Sequence, residues 1–237
     1  MIKVENLRKV YKVGGEKVVA LDNISLNIEK GEFCCIVGTS GSGKSTLLNM
    51  LAGLEKPTKG KVKINGQLVS KMTEKELAIF RQNNIGFIFQ SYNLLPTLTA
   101  VENVAFPLVF RGVDKKLRNK KAKKMLEDMG LGDRLNHKPG EMSGGQQQRV
   151  GIARAFVGRP NVIFADEPTG NLDSATTEQV MTMLIDISRK HNITFVMVTH
   201  DPELARMAPR VITLKDGRVI SDVKNHTDKP ETDQQNN

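Results

Sequence analysis

The sequence predicts an α/β fold in which a parallel-sheet core carries an antiparallel β subdomain and an inserted helical subdomain. Three observations predict it. After Pro160, short apolar runs alternate with helical patterns, as right-handed βαβ units require. In the first third, short runs alternate apolar and polar residues and are bounded by turn signals, which reads as antiparallel pairing. Between these regions, from about Gly86 to Val157, helical patterns dominate. At 237 residues and 39% hydrophobic content the chain can bury a sizeable core, and it shows no internal repeat.

In chain order, Ile2/Val4, Ile24/Leu26/Ile28 and Val62/Ile64 read as strands, and Asn65-Gly66 is a two-residue hairpin signal. The apolar run Phe33–Val37 reads as a buried strand. It leads into Gly38-Thr39-Ser40-Gly41-Ser42-Gly43-Lys44-Ser45-Thr46 and then the apolar stretch Leu47–Leu51, which ends at Gly53. Pro57 and Gly60 separate that helix from the next strand. Ile85–Gln90 reads as a short strand, and Ser91–Thr99, with Pro96, as a loop. Within the helical region, Ala122, Met125, Leu126 and Met129 recur at helical spacing, with Gly130 at the C-cap position. Strand signals return at Val162–Ala165, Thr194–Val198 and Val211–Leu214, separated by helical patterns near 174–190 and 202–207. Residues 1–224 therefore read as one domain. Residues 1–86 and 158–224 form its core with the β subdomain, 87–157 form the helical subdomain, and the polar stretch 225–237 reads as a disordered tail.

Composition narrows the function classes. No apolar run approaches the ~18–20 residues that cross a bilayer, and Met1-Ile2-Lys3-Val4-Glu5 lacks the features of a signal peptide. The expectation is a cytosolic protein, held at a membrane only through a partner. Cys34 and Cys35 are strand neighbours whose side chains point to opposite faces, so they read as small core hydrophobes rather than a disulfide. The net charge of +9 owes much to Lys115, Lys116, Arg118, Lys120, Lys121, Lys123 and Lys124. With no aromatic residues interleaved to stack bases, that run reads as a solvated helix face, and no nucleic-acid partner is expected. A face turned toward acidic lipid headgroups stays open.

The chemistry centres on Gly38–Ser45, which matches G-x-x-x-x-G-K-[S/T] between a strand and a helix. Glycines let consecutive N–H groups converge on one anion, and the helix start adds its amides and positive dipole end. Lys44 can then reach β- and γ-phosphates, and the Ser45 hydroxyl can ligate Mg²⁺. The chain reads as a nucleoside triphosphate binder. The strand Val162–Ala165 ends in Asp166-Glu167, where an aspartate can hold the metal and a glutamate can polarise the attacking water. His200 also follows a buried strand, so Gly38, Asp166 and His200 meet at one sheet edge if their strands are parallel. Finally, Ser143 can cap a helix whose start, Gly144-Gly145-Gln146, exposes its amides as a second anion site. One chain thus carries two anion-binding helix starts but one phosphate loop, which makes sense if the second serves the nucleotide of another copy.

Gly38–Ser45, Gln90, Ser143–Gln146, Asp166-Glu167, Asp173 and His200 stand in the order and spacing that resembles the ATP-binding-cassette (ABC) transporter ATPase family, over residues 1–220. The resemblance implies a RecA-like phosphate-loop NTPase core, ATP and Mg²⁺ as cofactors, and an ATP-driven homodimer. It implies that Tyr11 stacks on adenine, that Gly38, Ser40, Gly41, Ser42, Gly43, Lys44, Ser45 and Thr46 cradle the phosphates, and that Ser45, Gln90 and Asp166 serve the metal. Glu167, His200, Lys44 and Gln90 take the catalytic roles. Asp173 belongs to the segment that crosses the dimer, and Ser143, Gly144, Gly145 and Gln146 serve the second copy's nucleotide. Met142 stands where the family usually has Leu, a swap that conserves apolar volume, and Thr39 replaces the commoner proline.

Ser91–Val104 and Glu167–Asp173 resemble the branch that serves lipoprotein release, macrolide and antimicrobial-peptide export, and the related cell-division complex. That implies an integral-membrane permease subunit with an extracytoplasmic domain as partner, and a peripheral position on the cytoplasmic side of a bacterial cell membrane. Two other readings stay open: an ATPase that gates a cell-wall hydrolase through a transmembrane regulator, and a soluble cassette acting on ribosomes or nucleic acid. The cargo is not written in this chain.

Overall fold

The computed structural model describes residues 1–225; of the tail read as disordered, 226–237 lie outside the described residues. The first elements are β1 (Ile2–Val13), β2 (Glu16–Ile28), β3 (Phe33–Val37), α1 (Lys44–Leu51), β4 (Lys59–Ile64) and β5 (Gln67–Leu68). Next come α2 (Glu74–Asn84), β6 (Ile85–Phe89), α3 (Ala100–Phe110), α4 (Lys115–Asp128) and α5 (Gly144–Phe156). The chain continues with β7 (Val162–Asp166), α6 (Ser174–Lys190), β8 (Thr194–Thr199), α7 (Pro202–Arg206), β9 (Arg210–Lys215) and β10 (Arg218–Lys224).

Two sheets result. The smaller, ordered β2-β1-β4-β5, is antiparallel. Asn65 and Gly66 both take positive φ, the requirement of a type I′ hairpin between β4 and β5. The larger is ordered β10-β9-β3-β8-β7-β6; β9, β3, β8, β7 and β6 are parallel, and β10 is an antiparallel edge. β3 carries side chains into both faces. Cys34 and Ile36 join a core with Leu47, Leu48 and Leu51 of α1 and the inner face of the small sheet, including Ile2, Val4 and Leu26. Cys35 joins the opposite core, built with α3, α4, α5 and α6. Both cysteines are free and buried, as small core residues should be. Strands covered on both faces are apolar without interruption, and each fully buried Leu or Ile contributes about 2 kcal/mol.

Helix ends follow local chemistry. Thr73–Glu76, Thr99–Glu102 and Ser143–Gln146 form capping boxes at the starts of α2, α3 and α5. Gly130, at φ 72, closes α4 through Gly130 N to Glu127 O and Leu131 N to Leu126 O, a Schellman ending. The lysines of α4 lie on its exposed side, while Ala122 and Leu126 are buried. No described helix is long and apolar enough to cross a membrane.

Some expectations needed correction. α2 was not anticipated, because it buries only Leu77 and Phe80. β10 was not anticipated either, since most of its residues are exposed. β1 and β2 run far beyond their apolar residues as an exposed ribbon near Val13 and Glu16. β6 continues pairing to Phe89, opposite Asp166, so the sheet extends past residue 86. Asn225 is not free chain: its N–H donates to Pro209 O and its Nδ2 to Ala208 O.

Candidate active site

Strands β7, β8 and β3 are adjacent and parallel, so Asp166, Thr199 and Val37 end at one edge of the sheet. The phosphate loop leaves β3 there. Gly41 and Gly43 take φ of 78° and 97°. A Cβ at Gly38 would lie 2.2 Å from Leu214 O, and one at Gly43 would lie 2.5 Å from Ala20 O. A Cβ at Gly41 would meet nothing within 4 Å, so that glycine faces the open side of the loop. Lys44 begins α1; its Nζ donates to Gly38 O (2.8 Å) and Thr39 O (2.9 Å), curling back over the loop.

Ser45 Oγ donates to Asp166 Oδ1 at 3.3 Å, bridging the start of α1 and the end of β7. Burial holds the Asp166 carboxyl above its ordinary pKa and Glu167 adds to the shift, while the Ser45 hydrogen bond and Lys44 pull the other way. Glu167 has φ 45°, a left-handed backbone that costs on the order of 1–3 kcal/mol in a residue with a Cβ. Its N–H donates to Val198 O, and its Oε1 lies 2.8 Å from His200 Nδ1. His200 is largely exposed and Glu167 half-buried. A cavity of about 570 Å³ runs from Val18 and Val19 across the loop to Glu167 and His200, with Ser40, Gly41, Gly43, Lys44, Ser45 and Thr46 along it.

Other predicted residues stand around this cavity rather than in its wall. Tyr11 pairs with Val18 across β1 and β2, and donates its hydroxyl to Glu55 Oε2 at 2.8 Å. Burial first, then that carboxylate, raises the Tyr11 phenol's pKa; Lys9 Nζ sits 4.9 Å from the ring centre. Gln90 follows Phe89, the register partner of Asp166. Its side-chain amide lies against Gly170, and its carbonyl accepts from Asn171 Nδ2 at 3.0 Å. Asp173 caps α6, accepting from Thr176 N (2.9 Å) and Thr176 Oγ1 (2.7 Å), contacts that hold its carboxyl below the usual range.

The Ser143–Gln146 helix start does not line the cavity. Ser143 Oγ accepts from Gln146 N at 3.3 Å. Gly144 backs onto the Tyr92 hydroxyl and Leu172, and a Cβ at Gly145 would meet Thr176 at 2.8 Å. Two contacts had no signal in the sequence. Arg154 of α5 donates to the carbonyls of Tyr92 and Asn93, two consecutive residues with positive φ. Gln148, fully buried on the same helix, donates its Nε2 to Pro168 O.

The residues fit a Mg²⁺-bound phosphate chain. Ser45 and Asp166 offer two hard oxygen donors side by side, the chemistry that Mg²⁺ prefers. The loop presents glycine backbone and a lysine, and Ser42 Oγ is buried there without a partner among the described residues.

Comparison with known proteins identifies the family. A family model described as ABC transporter matches residues 21–170. The uncharacterized ABC transporter ATP-binding protein MJ1508 of Methanocaldococcus jannaschii is 54% identical over 220 residues, covering 93% of this chain and 98% of that protein. The macrolide export ATP-binding/permease protein MacB of Rhodopirellula baltica is 46% identical over 94% of this chain, which spans 33% of that longer protein. A solved dimeric post-hydrolysis state of the ATP-binding cassette MJ0796, bound to ADP and Pi, matches with a TM-score of 0.87 and 46% identity. That match covers 94% of this chain and 98% of that one. The chain belongs to the ABC transporter family and is one of its ATP-binding ATPase cassettes.

Proposed function

We propose that two copies of this chain close head to tail on two ATP molecules, and that hydrolysis drives an integral-membrane permease with an extracytoplasmic domain. The pair works at the cytoplasmic face of a bacterial cell membrane and moves peptide, antibiotic or lipoprotein-like cargo. One observation carries the dimer: the capped helix start Ser143–Gln146 opens outside the cavity that holds Lys44, Glu167 and His200. Each chain then offers a phosphate loop to its own nucleotide and a helix start to the other's, a two-fold symmetric arrangement. The resemblance to a macrolide export ATP-binding/permease protein supports the cargo class and the permease.

Within the site, Lys44 exchanges its loop carbonyls for β- and γ-phosphate oxygens. Ser45, Asp166 and Gln90 would hold Mg²⁺, which when bound would supply positive charge against the phosphates. The Glu167 carboxylate takes the proton of the attacking water, and His200, oriented by its 2.8 Å bond to Glu167, faces the γ-phosphate. Tyr11 stacks on the base beside Val18, and Asp173 lies at the dimer seam. Loss of the γ-phosphate removes the charge that satisfies amides of both chains, and the pair loosens.

The test uses Glu167→Gln, which keeps the carboxylate's shape without its basicity. With Mg-ATP it should hydrolyse at least about a hundredfold more slowly than wild type and elute as a dimer; without nucleotide it should elute as a monomer. Adding Ser143→Arg should abolish the dimer while each monomer still binds ATP. A double variant that dimerises on ATP overturns the head-to-tail reading.

A further inference from the structure

Helix α5 bears on the proposed chemistry at two places, neither of them in the cavity wall. Its first turn, Ser143–Gln146, is the helix start assigned above to the second copy's nucleotide. One turn further on, Gln148 shows no exposed surface at all. A buried side-chain amide normally satisfies its whole hydrogen-bonding capacity. Gln148 does not: its Nε2 donates to Pro168 O, while its Oε1 has no partner among the described residues. A neutral apolar side chain would fill the same space without that orphaned oxygen, so packing does not explain the amide.

Its single contact does. Pro168 follows Glu167, the residue that holds a left-handed φ of 45° and bonds to His200. The proline ring fixes its own φ and disfavours the right-handed helical region for Glu167. Three anchors then define the Glu167 peptide. Its N–H is tied to Val198 O of β8, its carbonyl accepts from Gly170 N at 3.1 Å, and the next carbonyl, Pro168 O, is tied to α5 by Gln148. The first ties Glu167 to core strand β8, and the second closes a turn within its own loop. Gln148 is the contact that makes the aim of the Glu167 carboxylate depend on where α5 stands.

We propose that Gln148 is a positioning residue for Glu167, coupling the carboxylate of one site to the helix whose start serves the other site in the second copy. This rests on the reading of Glu167 as the base and of Ser143–Gln146 as the second anion site. Seating α5 on the second copy's nucleotide fixes Gln148, which fixes the Pro168 carbonyl and brings Glu167 into line with its own site. A chain bound to nucleotide but without a second copy leaves α5 unseated and its glutamate out of line, so ATP is not spent by the monomer.

The test is a double-mutant cycle on turnover, run beside thermal melts and ATP titrations. Gln148→Met preserves length and volume and removes both amide atoms. The expected result is an ATP affinity within about twofold of wild type, a melting temperature unchanged or raised, and a kcat at least tenfold lower. In a Glu167→Gln background the same change should alter the residual rate by less than twofold, because there is no base left to aim. Gln148→His, which keeps an N–H donor near the Nε2 position, should retain kcat within about threefold, whereas Gln148→Asn, which is too short, should not. That pair carries the test if the methionine variant fails to fold. A Gln148→Met loss of equal size in both backgrounds, or a kcat loss that tracks a lowered melting temperature, overturns the proposal and leaves Glu167 as the base. A Glu167→Gln protein that turns over within a few-fold of wild type overturns the reading beneath it, and the proposal with it.

Discussion

Replacing Lys44 by Ala tests the phosphate loop most directly, and the structure sets the size of the effect. Lys44 Nζ donates to two carbonyls, at 2.8 and 2.9 Å, and is mostly buried against the loop. On binding, those donors turn to phosphate oxygens. The ammonium is charged in both states, so both sets of bonds are charge-assisted and what binding adds is the phosphate charge, about 4 kcal/mol for unit charges ~4 Å apart at an effective dielectric constant of about 20. Desolvation takes part of this back, which leaves roughly two orders of magnitude in ATP Kd. The fold should survive, because alanine suits the first turn of a helix and water can reach the released Gly38 and Thr39 carbonyls. Isothermal titration with a non-hydrolysable ATP analogue, beside a circular-dichroism melt, reads both quantities. A folded Lys44→Ala protein with Kd within threefold of wild type would refute the assignment of the loop.

Two further predictions concern stability against pH. The Asp166 carboxyl has its folded pKa raised, chiefly by burial, so its ionised form disfavours the folded state and stability is lost as pH rises through that pKa. Asp166→Asn should melt higher than wild type at neutral pH without Mg²⁺ and lose Mg²⁺-dependent turnover; a variant melting several degrees lower would contradict this. Asp222 is the opposite case, its pKa lowered first by the hydrogen bond from Arg210. Its contribution is present above the unfolded carboxylate value of about 3.9 and is lost as pH falls through the folded pKa. Asp222→Asn should flatten the acid limb of a urea-denaturation series below about pH 4, and an unchanged limb would remove the pair from the stability account.

What the sequence made legible follows from what is local. Strands β3, β7 and β8 are continuous apolar runs, so they could be read directly, and the Asn65-Gly66 turn announced its hairpin. The capping box Ser143–Gln146 was visible as a helix start for the same reason. Helix α2 also carried a signal, Thr73-x-x-Glu76, but its apolar face is too sparse to show a period. Strand β10 alternates intermediate and exposed residues, and β9, not its own pattern, holds it in place. In the site, the sequence put Asp166 and Glu167 at a strand end but could not foretell the left-handed Glu167 or its bond to His200. Those depend on β8 lying between β3 and β7, and strand order is a tertiary fact. Gln148 and Arg154 were illegible because their partners are carbonyls, which every residue carries.

The strand order also has a consequence for synthesis. β3, which delivers the phosphate loop, has no neighbour close to it in the chain: it lies between β8 and β9. At its entrance, Gly31 N–H donates to the Thr194 hydroxyl 163 positions later. Emerging from a ribosome, β3 waits roughly ten to thirty seconds for that partner at typical elongation rates. Throughout that interval an apolar strand with two open edges is available to other nascent chains or to a chaperone. The nucleotide site therefore cannot act as an early folding nucleus, and a chain stalled before residue 194 should neither bind ATP nor resist proteolysis at the loop.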